Sequence, residues 1–146
     1  MFGQPAKPAP VSVLTVKGVI NPVSAEYLIE GINNAAANGY QAVIIELDTP
    51  GGLDDSMRDI IQTMISAKIP IIVYVSPSGG RAASAGAFIT IASDVAVMTP
   101  GTNIGAASPV SLGETMDETM KAKVTNDAEA YIIGLATNNN RNVEIA

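Results

Sequence analysis

The sequence contains no cysteine and no histidine. The first absence excludes disulfides, thiol catalysis and thiolate-held metals. The second removes the usual general base and the commonest metal ligand. Basic residues are scarce too, eight Lys and Arg against fourteen Asp and Glu, which leaves no cationic face for nucleic acid. No apolar run reaches the ~18 residues that a membrane span needs. The longest, Ala42–Leu47 and Ile69–Val75, have the length of buried strands. No signal-peptide pattern opens the chain. Glycine-rich loops are present, but neither Gly-x-x-x-x-Gly-Lys-Ser/Thr nor Gly-x-Gly-x-x-Gly occurs. The carboxylates Glu46, Asp48 and Asp94 are too scattered to suggest a metal site, so no metal and no cofactor is expected. Nucleophilic chemistry, if present, rests on Ser or Thr with a lysine or carboxylate as base.

What remains is a chain of 146 residues, 47% apolar and 15% charged, enough for one globular domain with its own core. Met1–Pro10 reads as a linker or added lead-in, and residues 11–146 as the domain. The chain stops at Glu144-Ile145-Ala146 without a tail, which suggests that the natural protein continues.

Val11–Val16 reads as a strand stopped at Gly18. Asn21 then caps a helix that Pro22 opens and Gly39 ends. Ala42–Leu47 reads as a strand covered on both faces. It runs into Asp48-Thr49-Pro50-Gly51-Gly52. A second helix turns Leu53, Met57, Ile60, Ile61 and Met64 inward and Asp54, Asp55, Arg58 and Asp59 outward. Pro70–Val75 is the third strand and Val95–Met98 a short fourth. Pro100–Pro109 reads as a loop, Val110–Glu118 as irregular, and Glu118–Ala136 as a last helix. Strands alternating with helices predict an α/β fold with a mostly parallel sheet, whose ligands bind beyond the carboxyl ends of the strands. The Gly51-Gly52 loop and the loop after Val75 both leave such ends.

The second of those loops runs from Pro77 to Ile91. Pro77, Gly79 and Gly80 make a turn, and Ser84 follows among Ala82, Ala83, Ala85 and Gly86, ahead of a buried helix. Small neighbours leave Ser84 open to another backbone, and a helix N-terminus favours an oxyanion. Taken alone, Ser84 reads rather as a helix cap in a close-packed stretch. Its base would be one of five lysines. Lys7 lies in the lead-in, Lys17 at a strand end and Lys68 beside a turn. Lys121 and Lys123 lie on the last helix, beside a face made by Met120, Val124, Ala128, Tyr131 and Leu135. Periodicity does not choose between these two, and Lys123 has the spacing of an ordinary surface pair with Asp127. A lysine base must be neutral near pH 7, about three units below its usual ~10.4 and so roughly 4 kcal/mol, which apolar burial can supply. Gly51 and Gly52 offer backbone N–H groups opposite that of Ala85. Ser108, before Pro109, is a fallback nucleophile.

Four motifs fall in order: Asp48-Thr49-Pro50-Gly51-Gly52, Ala83-Ser84-Ala85-Gly86, Pro100-Gly101-Thr102-Asn103-Ile104-Gly105 and Lys123-Val124-Thr125-Asn126. Together they resemble the N-terminal protease domain of NfeD proteins, membrane-bound serine proteases encoded beside stomatin-like genes. That family is related to signal peptide peptidase A and to the ClpP and crotonase folds. The resemblance runs from about Val11 to the end of the chain. It implies a spiral of β-β-α units, Ser84 as nucleophile and Lys123 rather than Lys121 as base. It implies an oxyanion hole near Gly52 and Ala85, and cleavage of apolar peptide segments such as the tail of a stomatin-like partner. It also implies membrane anchoring only through parts absent from this chain, with this domain extracytoplasmic. A homo-oligomer of dimer size is expected. The competing expectations are a catalytically silent peptide-binding module and an oligomerisation scaffold.

Overall fold

The computed structural model describes residues 8–107 and 117–144. Strand β1 is Val11–Lys17, β2 Ala42–Asp48, β3 Ile71–Val75 and β5 Val95–Met98, the last following β4, Arg81–Ala83, in chain order. The first four named pair side by side as β1-β2-β3-β5, every pair parallel. Parallel neighbours need crossover connections, and the helices supply them. Helix α1 is Pro22–Ala37, α2 Asp54–Ser66, α3 Ala85–Ala92 and α4 Glu118–Asn138.

Local chemistry sets most boundaries. Asn21 accepts from the Ser24 N–H, and Ser24 accepts from the Asn21 N–H, a reciprocal cap immediately before Pro22. Alternate strand residues enter a single core: Leu14 and Val16 from β1, Val43, Ile45 and Leu47 from β2, Ile71, Val73 and Val75 from β3. Leu28 and Ile32 of α1, Ile60 and Ile61 of α2 and Ile89 of α3 fill the other side. Helix α3 is apolar almost all round, as a helix sunk in the core must be.

Four expectations need correction. First, β2 is not covered on both faces. Ala42, Ile44 and Glu46 alternate as half-buried residues because the helices all contribute to the core on the other side. Second, β4 and a further strand β6, Asn103–Gly105, pair in parallel as a separate two-stranded sheet inside segments read as turn and loop. Third, Leu53 is the residue before α2 and is exposed rather than on its buried face. Fourth, α4 does not bury the whole expected face. Ile132, Leu135 and Ala136 are buried, Ala128 and Tyr131 are partly buried, and Met120 is exposed. Only the second half of α4 is therefore docked in the core. Ser108 lies outside the described residues.

Candidate active site

The site forms where β4 hands over to α3. After β3 the chain reverses through a turn in which the Gly80 N–H donates to Pro77 O at 2.8 Å. Buried Thr49, just past the end of β2, holds β4: its N–H donates to Arg81 O at 2.7 Å, and its carbonyl accepts from the Ala83 N–H at 3.1 Å. From the far side, Gly105 O of β6 accepts the Ser84 N–H at 2.8 Å. Pinned on both flanks, Ser84 takes φ 51° and ψ −118°, a conformation side chains rarely adopt. Such a residue costs roughly 1–3 kcal/mol and persists only where its surroundings enforce it. Ser84 occupies the helix-cap position, yet its hydroxyl makes no capping bond. Its Oγ is left unengaged among the described residues, half-exposed at a helix N-terminus.

The glycine loop stands against this serine. Gly51 has φ +113°, and a Cβ on it would lie 2.6 Å from the Cβ of Ser84 and 3.1 Å from its Oγ. A Cβ on Gly52 would lie 1.9 Å from Ile20 O. Both positions therefore require glycine on grounds of space. As donors the two differ. The Gly51 N–H is committed to Thr49 Oγ1 at 3.0 Å, so Gly51 is no oxyanion donor in this geometry. The N–H groups of Gly52 and Ala85 meet no acceptor among the described residues. The candidate hole thus narrows to Gly52 and Ala85.

Ser84, Ala85 and Gly52 line one cleft of about 300 Å³. Its walls are mostly apolar, from Leu53, Met57, Phe88, Ala107, Val124 and Ala128, with Asp54, Arg58 and Asp127 at the rim. The structure does not bring the candidate lysines to Ser84. Lys121 and Lys123 are exposed on the undocked half of α4, and Lys123 neighbours the cleft residue Val124 without lining the cleft itself. Nor does Lys123 form an ion pair with Asp127. Arg58 takes that carboxylate, Nη2 to Oδ2 at 2.6 Å, while its Nε donates to Asp54 at 2.7 Å. The guanidinium also lies 4.3 Å from the centre of the Tyr131 ring, which stacks on Phe88 at 5.8 Å. The hydrogen bond to Asp54 holds the Arg58 pKa above its ordinary value. Burial pushes the Tyr131 phenol up, opposed by the neighbouring Arg58 charge. Sequence reasoning missed this rim and the part played by Thr49. The Asp54–Arg58 spacing of four residues was a local signal, but nothing local points from Arg58 to a carboxylate 69 positions away.

A serine forced into a strained strand-to-helix junction, faced by a glycine loop on an all-parallel α/β frame, defines the class: the domain has a ClpP-like fold. Within that class, the chain belongs to the family of NfeD1b N-terminal domains, which matches residues 10–146. It is 42% identical over 139 residues to the membrane-bound protease PH1510 of Pyrococcus horikoshii, covering 93% of this chain and 31% of that protein. The membrane protein NfeD1b of Bacillus subtilis is 33% identical over 100 residues, 68% of this chain and 22% of that protein. The chain therefore spans less than a third of the length of these curated relatives. Among solved structures, the 1510-N membrane-bound stomatin-specific protease with a serine-to-alanine change superposes with a TM-score of 0.86 at 38% identity, over 95% of this chain and 68% of that one. The same protease with a lysine-to-alanine change, in complex with a substrate peptide, gives 0.85 at 39% identity, over 94% and 64%.

Proposed function

We propose that the domain is a serine endopeptidase working through Ser84 and Lys123. Ser84 Oγ attacks the peptide carbonyl, and neutral Lys123 takes the hydroxyl proton and returns it to the leaving amine. Water, activated by the same lysine, then releases the acyl group and restores Ser84. The N–H groups of Gly52 and Ala85 stabilise the oxyanion. Val124 already lines the cleft, so a shift of the undocked half of α4 carries Lys123 onto Ser84. The observation that carries this reading is the strained, uncapped Ser84 held against Gly51 at the edge of an apolar cleft.

The cleft walls favour apolar peptide segments as substrate. A stomatin-like membrane protein is the proposed natural partner, since the 1510-N relative is described as specific for stomatin. The relatives are membrane proteins by name. We place this domain outside the cytoplasm, anchored through segments beyond this chain, and acting as a homodimer. The exposure of Lys123 favours a second reading, a peptide-binding module without turnover. Hydrolysis of an apolar peptide library separates the two. Turnover lost in Ser84→Ala and Lys123→Ala but kept in Lys121→Ala supports the peptidase. Peptide binding with no turnover in any form supports the module.

A further inference from the structure

Helix α4 is fastened unevenly, and the place where its fastening ends is specific. Its second half is buried through Ile132, Leu135 and Ala136. From Asp117 to Lys123 every residue is exposed. Between these regions, one side chain from another element reaches across the cleft rim. Arg58 of α2 donates to Asp127 at 2.6 Å, rests on Tyr131 at 4.3 Å, and is itself held by Asp54 at 2.7 Å. Asp127 lies four residues after Lys123, on the same face of the helix. The cation therefore grips α4 one turn from the proposed base, along the strip that faces the cleft through Val124 and Ala128.

We infer that Arg58 is a positioning residue for the Ser84–Lys123 pair, fixing how far α4 is rotated and how near its first half stands to Ser84. The inference rests on the peptidase reading for its catalytic consequence, though not for the contact itself. Exposed ion pairs contribute little to folding, and Arg58 and Asp127 are 36% and 70% exposed in their side chains. Geometry rather than stability is thus what the contact supplies. Arginine suits the task, because its planar fork holds Asp54 and Asp127 at once while stacking on a ring.

The absence of cysteine makes the test direct. Spin labels on Asp59→Cys of α2 and Ala122→Cys of α4, both exposed positions, report the separation of the two helices. Arg58→Gln should broaden that distance distribution. It should also lower kcat for peptide hydrolysis about tenfold, within the roughly hundredfold that a misplaced group can cost. KM and melting temperature should barely move. The exchanged pair, Arg58→Asp with Asp127→Arg, should restore a narrow distribution and much of kcat. An unchanged distribution and unchanged kcat in Arg58→Gln would overturn the inference. So would a loss that tracks a falling melting temperature and is not recovered by the exchanged pair. Activity that survives Ser84→Ala would instead sink the peptidase reading, and the distance distribution would still decide whether Arg58 holds the helix.

Discussion

Gly51 and Ser84 are fitted to each other: a methyl group on the glycine would stand 2.6 Å from the serine Cβ. The glycine also holds φ +113°, so Gly51→Ala meets both a clash and a backbone penalty. We expect a loss of about 1–3 kcal/mol in stability. Labelling of Ser84 by a fluorophosphonate should slow far more than that loss explains. Near-normal labelling in a correctly folded Gly51→Ala protein would show that the loop does not shape the serine.

Gly52→Ala should be worse, and for a different reason. Its Cβ would meet the backbone oxygen of Ile20 at 1.9 Å, and Ile20 O also accepts the N–H of Leu53 at 2.9 Å. A backbone neighbour cannot turn aside as a side chain can. The contrast is Gly31→Ala, whose Cβ would meet the flexible end of Leu14 at 2.6 Å. Denaturant melts should rank Gly52→Ala well below Gly31→Ala.

Replacing Ser84 separates chemistry from folding. A serine cap normally contributes about 1 kcal/mol through its side-chain bond, but here that bond is absent. Ser84→Ala should therefore leave stability within about 0.5 kcal/mol of the parent, the range of substitutions that break no particular interaction. Ser84→Gly relieves the positive φ and should gain about 1 kcal/mol. Both should abolish turnover. A large destabilisation in Ser84→Ala would mean that the hydroxyl is structural.

Tyr131 provides a pH signature. Burial raises its folded-state pKa above the ordinary 10.0. The unfolded chain therefore releases this proton first. The corresponding stability is intact below about pH 10 and is lost as pH climbs toward the folded value. Between about pH 9 and pH 11, the melting temperature should fall less in Tyr131→Phe than in the parent. Equal falls would remove Tyr131 from the alkaline transition.

Much of the frame was legible because its signals are local. Asn21-Pro22 marks a helix start by its own chemistry, and the short apolar run Ala42–Leu47 marks a strand, though not which of its faces is covered. Strands β4 and β6 were hidden for the opposite reason. Three residues are too few to carry a pattern, and Arg81–Ala83 becomes a strand only when Thr49 and Asn103–Gly105 arrive beside it. Ser84 could be singled out from its small neighbours, whereas its backbone strain follows from the hydrogen bonds that Thr49 makes to β4 and Gly105 makes to Ser84. For α4, periodicity described an apolar stripe but not how much of it finds a partner. Asp127 was within local reach of Lys123, and a tertiary contact with Arg58 claimed it.

The uneven docking of α4 also sets a hierarchy of opening. Amides near Leu135 should exchange with solvent only when the core gives way, while those near Lys123 exchange through local fraying at far lower free energy. The strained junction at Ser84 belongs to the first group and the proposed base to the second. One half of the proposed Ser84–Lys123 pair thus falls within the cooperative folding unit and the other does not. Mutations or partners that act on the first turns of α4 should then retune the proposed reaction without touching global stability.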